Sequence, residues 1–276
     1  MLDIIYCVVC IVLFVAIAFV IPMIINKSRL KKEKGKIHPG IRAGVGIGGF
    51  VLGAGLFAFL YLNSYYHAVS DEVAPYIQDH EGVKVTRISK GWFFDGAESE
   101  RAFIFYPGAK VEAKSYAPFL SKMALSGIDC FLVEMPYELA VFDVNAADSI
   151  MDNYEYNEWM IGGHSLGGNM AAKYAKGKED KFKKVIMLAS YPSVELSDDV
   201  EFLSIFGSKD GILNFLTYEK NRAKWPENWG EEIIKDGNHS QFGNYGRQDF
   251  DGKAGITADE QQQQTVELIL ESLEEE

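Results

Sequence analysis

Ten residues, Trp159-Met160-Ile161-Gly162-Gly163-His164-Ser165-Leu166-Gly167-Gly168, constrain this chain more than any other stretch. Residues 158–161 are short, apolar and closed by glycines, which predicts a strand. Residues 166–176 space small and apolar side chains as a helix does. Between them, Gly163-x-Ser165-x-Gly167 has the form of a strained turn that holds a serine hydroxyl above a sheet edge, flanked by glycines that present no side chain to clash. The start of the helix brings unpaired N–H groups and a positive dipole end to the place where an oxyanion would form. Five residues alone also match glycine-rich turns with an incidental serine, so the context has to decide.

The flanking chain supplies that context. Residues 83–88, 91–94 and 101–106 alternate or run apolar as strands, the last ending at Pro107-Gly108. A helical period follows over 113–125, then a buried-strand pattern at 129–134 and an irregular segment over 136–153. Beyond the serine turn come strands at 184–189 and 200–206, a helix at 213–224 and a strand at 232–235. Thr257 and Glu260 form a capping box for a final helix whose apolar face is Val266, Ile269, Leu270 and Leu273, which predicts Gln261 to Gln264 as an exposed first turn. Early hairpin-like strands followed by strand–helix alternation predict an α/β fold with a mostly parallel sheet and helices on both faces.

A serine hydroxyl needs a histidine base, and the base needs a carboxylate to fix its tautomer. Both are expected at strand ends in the order Ser, acid, His. The strand at 200–206 runs into Gly207-Ser208-Lys209-Asp210-Gly211, and the strand at 232–235 into Asp236-Gly237-Asn238-His239. Of five histidines, His38 is in a basic loop, His67 and His80 precede the sheet, and turn geometry points His164 away from the nucleophile. His239 is the base that remains. Glu134 and Asp143 are rival acids, less well placed than Asp210. For the oxyanion, one donor is the N–H of Leu166. The other comes from Tyr106-Pro107-Gly108-Ala109, where proline has no N–H and Ala109 is preferred to Gly108. Asp249-Phe-Asp251-Gly252 has too few ligands for a calcium loop and reads as a polar turn. The mechanism calls for no metal and no organic cofactor.

The N-terminal 66 residues are of another kind. Residues 2–25 and 43–62 are two apolar runs of about 20 residues, each long enough to cross a hydrocarbon core. The first lacks the basic flank and the cleavage site of a signal peptide. Between them lie Lys27, Arg29, Lys31, Lys32, Lys34, Lys36 and Arg42 against one acid, Glu33. The positive-inside rule puts this loop in the cytoplasm and the rest of the chain outside. Glycines at 44/48 and 49/53 predict close packing of the first span on the second. The first 66 residues hold seven of the 27 cations and two of the 39 acids, so the remainder carries a net charge of −17. That surface is unsuited to nucleic acid or anionic lipid. With Cys7 and Cys10 in the first run and Cys130 alone in a strand, no disulfide framework is available, which suits a bacterial envelope better than a eukaryotic secretory route. The expected organisation is a membrane anchor at 1–66, a linker with the first strands at 67–100, and a catalytic core at 101–276.

From residue 101 onward the chain resembles the α/β-hydrolase superfamily, particularly its dienelactone-hydrolase-like esterase branch. The likeness rests on YPGA (106–109), GGHSLGG (162–168), GSKDG (207–211) and GNHSQFGNYG (237–246). It implies a Ser165–Asp210–His239 triad with Ala109 and Leu166 as oxyanion donors. Two departures stand out: dienelactone hydrolases use cysteine where Ser165 stands, and Pro107 stands where many esterases have histidine. Without a lid insertion, residues 137–153 and 241–250 are left to shape the pocket. The expected activity is a membrane-anchored serine hydrolase working through an acyl-enzyme on a small-molecule or envelope-derived ester. Two alternatives are an acyltransferase using the same triad and an inactive hydrolase-fold binding module.

Overall fold

The computed structural model describes residues 21–31, 39–80, 82–97 and 99–274, with Val9, Val12, Leu13 and Ala16 as isolated positions before them. The chain divides into two compact units, Met1–Ser64 and Tyr65–Glu276.

The first unit contains helices α1 (Ile21–Lys31) and α2 (Pro39–Asn63). At 1.5 Å per residue, the 25 residues of α2 extend about 37 Å, more than the roughly 30 Å of a hydrocarbon core. Its stretch Gly46–Asn63 makes α2 the one helix among the described residues that is long and apolar enough to cross a membrane. Ile47, Phe50, Val51, Leu52 and Phe59 are all exposed. The predicted first span lies outside the described residues except for Val9, Val12, Leu13, Ala16 and its end, which opens α1. The predicted packing of that span on the α2 glycines falls there too.

The second unit begins with α3 (Ser70–Val73) and the strands β1 (Lys84–Ile88), β2 (Gly91–Asp95) and β3 (Arg101–Tyr106). It continues through α4 (Ala117–Leu125), β4 (Asp129–Val133), α5 (Asp148–Met151), β5 (Glu158–His164), α6 (Leu166–Ala175), β6 (Lys184–Leu188) and β7 (Glu201–Gly207). It closes with α7 (Phe215–Asn221), β8 (Trp229–Ile234) and α8 (Ala258–Glu274). The eight strands form one sheet in the order β1-β2-β4-β3-β5-β6-β7-β8. The first three in that order pair antiparallel, and every later pair is parallel. This is the mostly parallel α/β sheet that the strand–helix alternation predicts, and the architecture that the resemblance to α/β-hydrolases implies.

The central strands are buried along nearly their whole length, which explains their apolar runs. Phe103, Phe105, Phe119 and Phe131 are at most 1% exposed, and each contributes about 1.5–3 kcal/mol by leaving water. Two predicted helices are shorter than expected. The segment 113–125 splits into a 3₁₀ turn, Ala113–Tyr116, and α4, because Pro118 cannot donate and is tolerated only in a first turn. The segment 213–224 becomes α7 and a 3₁₀ turn, with Asn214 capping α7 by accepting the Thr217 N–H at 3.0 Å.

The capping box of α8 forms as the sequence predicts. The Thr257 N–H donates to Glu260 Oε2 at 2.7 Å and the Glu260 N–H to Thr257 Oγ1 at 3.2 Å. The turn that follows is not exposed, however. Gln261 is 0% and Gln262 1% accessible, since α8 turns that face toward the loop after β8.

Candidate active site

Parallel strands send their following loops to one edge of a sheet, and in α/β folds that carboxyl edge is where sites are built. Here β3, β5, β7 and β8 bring Ala109, Ser165, Asp210 and His239 to it. Ser165 sits at φ 53° and ψ −123° between β5 and α6, a backbone state that costs a non-glycine residue about 1–3 kcal/mol. The surroundings hold it there. Its N–H donates to Leu188 O at 2.9 Å, and the Ser190 hydroxyl donates to its carbonyl at 2.6 Å. The glycines permit the tight approach: a Cβ on Gly163 or on Gly167 would lie 2.2 Å from the Tyr106 carbonyl oxygen.

Asp210 and His239 meet directly, with Asp210 Oδ2 2.8 Å from His239 Nδ1 and side chains 0% and 2% exposed. The other carboxylate oxygen accepts the Ile212 and Leu213 N–H groups, each at 2.8 Å. Ser165 and His239 line one cavity of about 250 Å³ together with Leu166, Asn169, Ala189, Ser190, Tyr191, Ile212, Leu213 and Asn214. No direct hydrogen bond joins the Ser165 hydroxyl to the His239 ring among the described residues, a looseness common before substrate binds. The rival acids are engaged elsewhere. Glu134 pairs with Arg87 and accepts the Trp92 indole N–H at 3.3 Å, while Asp143 pairs with Lys90 at 2.5 Å.

The loop after β3 distinguishes the two candidate oxyanion donors. The Gly108 N–H is already given to the Tyr116 hydroxyl at 3.1 Å. No protein acceptor is recorded for the N–H of Ala109 or of Leu166 among the described residues.

His164 makes its contacts with Tyr116 and His239. Its ring packs beneath the centre, 4.4 Å from the His239 ring, with Nδ1 2.8 Å from the Tyr116 hydroxyl. Tyr116 OH accepts from Gly108, so its own proton goes to His164 Nδ1. Burial, and secondarily the nearby His239, hold the His164 pKa well below the ordinary histidine value. Burial likewise pushes the Tyr116 hydroxyl up, so both rings are neutral struts.

Two supporting side chains escape the sequence reading. Asp251, expected in a polar turn, is a buried clamp. Its Oδ1 accepts the N–H groups of Gly211 (3.1 Å), His239 (3.3 Å) and Gly252 (2.8 Å), and its Oδ2 accepts that of Ser240 (2.8 Å). It thereby ties the Asp210 loop to the His239 turn. Gln261 holds the residue before the histidine: its Oε1 accepts the Asn238 N–H at 2.9 Å and its Nε2 donates to the Asn238 carbonyl at 2.8 Å. Polar side chains that follow an aromatic loop and open a helix were the available signal, but which backbone they reach depends on tertiary structure. Among the described residues, no group of three or more His, Cys, Asp or Glu could hold a metal ion.

Residues 102–264 match the sequence model of the alpha/beta hydrolase family. Among solved structures, the dienelactone hydrolase from Anabaena variabilis is similar, with TM-score 0.52 and 12% identity over 69% of this chain and 99% of that one. TT1662 from Thermus thermophilus gives TM-score 0.51 and 13% identity over 70% and 99% of the two chains. Est1E from Butyrivibrio proteoclasticus, with ferulic acid bound, gives 0.50 and 12% over 71% and 98%. At these identities the likeness is one of fold. No curated protein sequence matches the chain.

Proposed function

The chain belongs to the alpha/beta hydrolase family, and from that premise we propose that it is a membrane-anchored serine hydrolase of the esterase type, close to the dienelactone-hydrolase-like branch. The observation that carries this reading is the buried Asp210–His239 contact of 2.8 Å, with His239 lining the same cavity as the strained Ser165. Ser165 attacks an ester carbonyl. His239 takes its proton through Nε2, since Nδ1 is committed to Asp210, and later returns it to the leaving alcohol. Asp210 holds the tautomer and stabilises the imidazolium. The N–H groups of Leu166 and Ala109 receive the negative charge on the tetrahedral oxygen, and the engagement of the Gly108 N–H by Tyr116 favours Ala109 as the second donor. Water then repeats the sequence and releases the acid.

The exposed apolar length of α2 supports anchoring in a membrane. The seven-cation loop preceding it supports two spans with the hydrolase unit outside the cytoplasm. The decisive experiment is labelling of the full-length protein by a fluorophosphonate, paired with hydrolysis of p-nitrophenyl esters of graded length. The wild type should label and turn over, and Ser165→Ala should do neither. Turnover that survives Ser165→Ala would remove the serine mechanism.

A further inference from the structure

The chain enters the hydrolase unit at its catalytic edge. The Tyr66 N–H donates to Lys110 O at 2.7 Å and the Glu112 N–H to Tyr66 O at 2.9 Å, so the entering strand pairs with the loop that carries Ala109. Two residues on, the Ala68 N–H donates to Glu112 Oε2 at 2.9 Å and the Val69 N–H to Asn244 O at 2.8 Å, while the Tyr66 ring lies 5.7 Å from that of Tyr245 in the loop after His239. Only Ser64 and Tyr65 lie between Tyr66 and Asn63, the last residue of α2, so three Cα-to-Cα steps join them. A fully extended chain covers at most about 11 Å over that length. The segment that pairs with the oxyanion loop is therefore at most that contour length from the last residue of α2.

The exposed apolar side chains of this unit are concentrated at the same edge. Nine large hydrophobic residues are exposed among its described residues, and six of them, Tyr137, Val141, Phe142, Phe215, Leu216 and Phe250, follow the carboxyl ends of β4, β7 and β8. Leu216 is 80% and Phe250 84% accessible. None of the six lines the cavity beside Ser165, although Phe215 and Leu216 follow directly on Asn214, which does; that cavity, about 250 Å³, is below the range that encloses a drug-sized ligand. The cavity can take a carbonyl and a short segment, and a long chain has to remain outside it.

We propose that the unit draws its substrate from the membrane its own helix crosses: an amphiphilic acyl ester whose chain stays in the bilayer while its carbonyl reaches Ser165. This rests on the serine-hydrolase reading above, and the chemistry is the same acyl transfer to Ser165 followed by hydrolysis. In this proposal the exposed apolar side chains of the loops after β4, β7 and β8 take the place of a lid insertion.

The test uses the full-length protein in phosphatidylcholine vesicles with two esters assayed in parallel, p-nitrophenyl acetate in the water and a fluorogenic long-chain acyl ester in the bilayer. A flexible Gly-Ser insert of about 25 residues between Ser64 and Tyr65 adds roughly 28 Å of mean reach. It should leave kcat/KM for the soluble ester within about twofold and lower turnover of the bilayer ester about tenfold, as the local concentration of substrate falls. Leu216→Ser combined with Phe250→Asn, on the original tether, should show the same selectivity. Unchanged bilayer-ester turnover in both variants, with soluble-ester activity intact, would overturn the proposal and leave the serine hydrolase standing. Failure of the wild type to hydrolyse either ester or to take up fluorophosphonate at Ser165 would remove that reading and the proposal with it.

Discussion

Asp210→Asn alters one atom of a buried carboxylate, and the surrounding backbone dictates which one. Oδ1 accepts the Ile212 and Leu213 N–H groups at 2.8 Å each, while Oδ2 faces His239 Nδ1 at 2.8 Å. The amide satisfies both backbone donors only with its carbonyl oxygen in the Oδ1 place, which sets its NH₂ against Nδ1. Nδ1 must then accept, and the ring proton moves to Nε2, the nitrogen that has to receive the Ser165 proton. Flipping the amide would restore the productive tautomer but turn NH₂ toward two backbone donors at a side chain that is 0% exposed. Losing those two bonds costs about 2–6 kcal/mol. At 1.4 kcal/mol per tenfold, the productive arrangement survives in roughly one molecule in 30 to one in 10⁴. We therefore expect kcat on a soluble p-nitrophenyl ester to fall by that factor with KM nearly unchanged. A kcat within threefold of wild type would show that Asp210 does not set the tautomer, and Glu134 and Asp143 would be tested in turn.

Asp251→Ala removes the acceptor of four backbone N–H groups and should cost about 3–5 kcal/mol, seen as a Tm lower by roughly 6–20 °C; an unchanged Tm would mean that water takes over the clamp. Gln261→Leu keeps the volume but unpairs both backbone groups of Asn238, and should lower kcat at least about tenfold at nearly constant KM by freeing the His239 turn; a purely structural role would lower Tm and leave kcat per folded molecule alone. His164 is held neutral in the fold, whereas the unfolded chain protonates it at about 6.5, so its stabilising contribution is complete above that pH and is lost as pH falls below it. His164→Gln should accordingly show a shallower fall of Tm between about pH 6.5 and 5 than the wild type, whose slope gains up to about 1.4 kcal/mol per pH unit from this residue; parallel profiles would refute the assignment. Protease added to intact cells should digest the hydrolase unit, and digestion only after lysis would reverse the membrane orientation.

The parts of the fold and candidate site that were legible in the sequence are those whose cause is local. The serine turn, the apolar strands and the Thr257–Glu260 cap each follow from residues within a few positions of one another, and each appears where periodicity and capping chemistry put it. Asp210 and His239 are 29 residues apart, yet both were identifiable, because each follows an apolar strand and parallel pairing of β7 with β8 carries their loops to a common edge. The supports were not legible, for the converse reason. Asp251 and Gln261 look like surface polar residues in a list of types, since nothing near them in sequence needs their hydrogen bonds. The groups that do, at Gly211, Asn238, His239 and Ser240, become neighbours only once the sheet has formed and α8 has docked. The role of His164 was hidden for a related reason: turn geometry points it away from the nucleophile, but cannot show that the loop after β8 folds back to place His239 against it. A buried carboxylate and a buried carboxamide cost free energy unless every polar atom finds a partner. Their survival beside the proposed base therefore identifies the His239 turn as the part of this site that the rest of the fold is arranged to hold still.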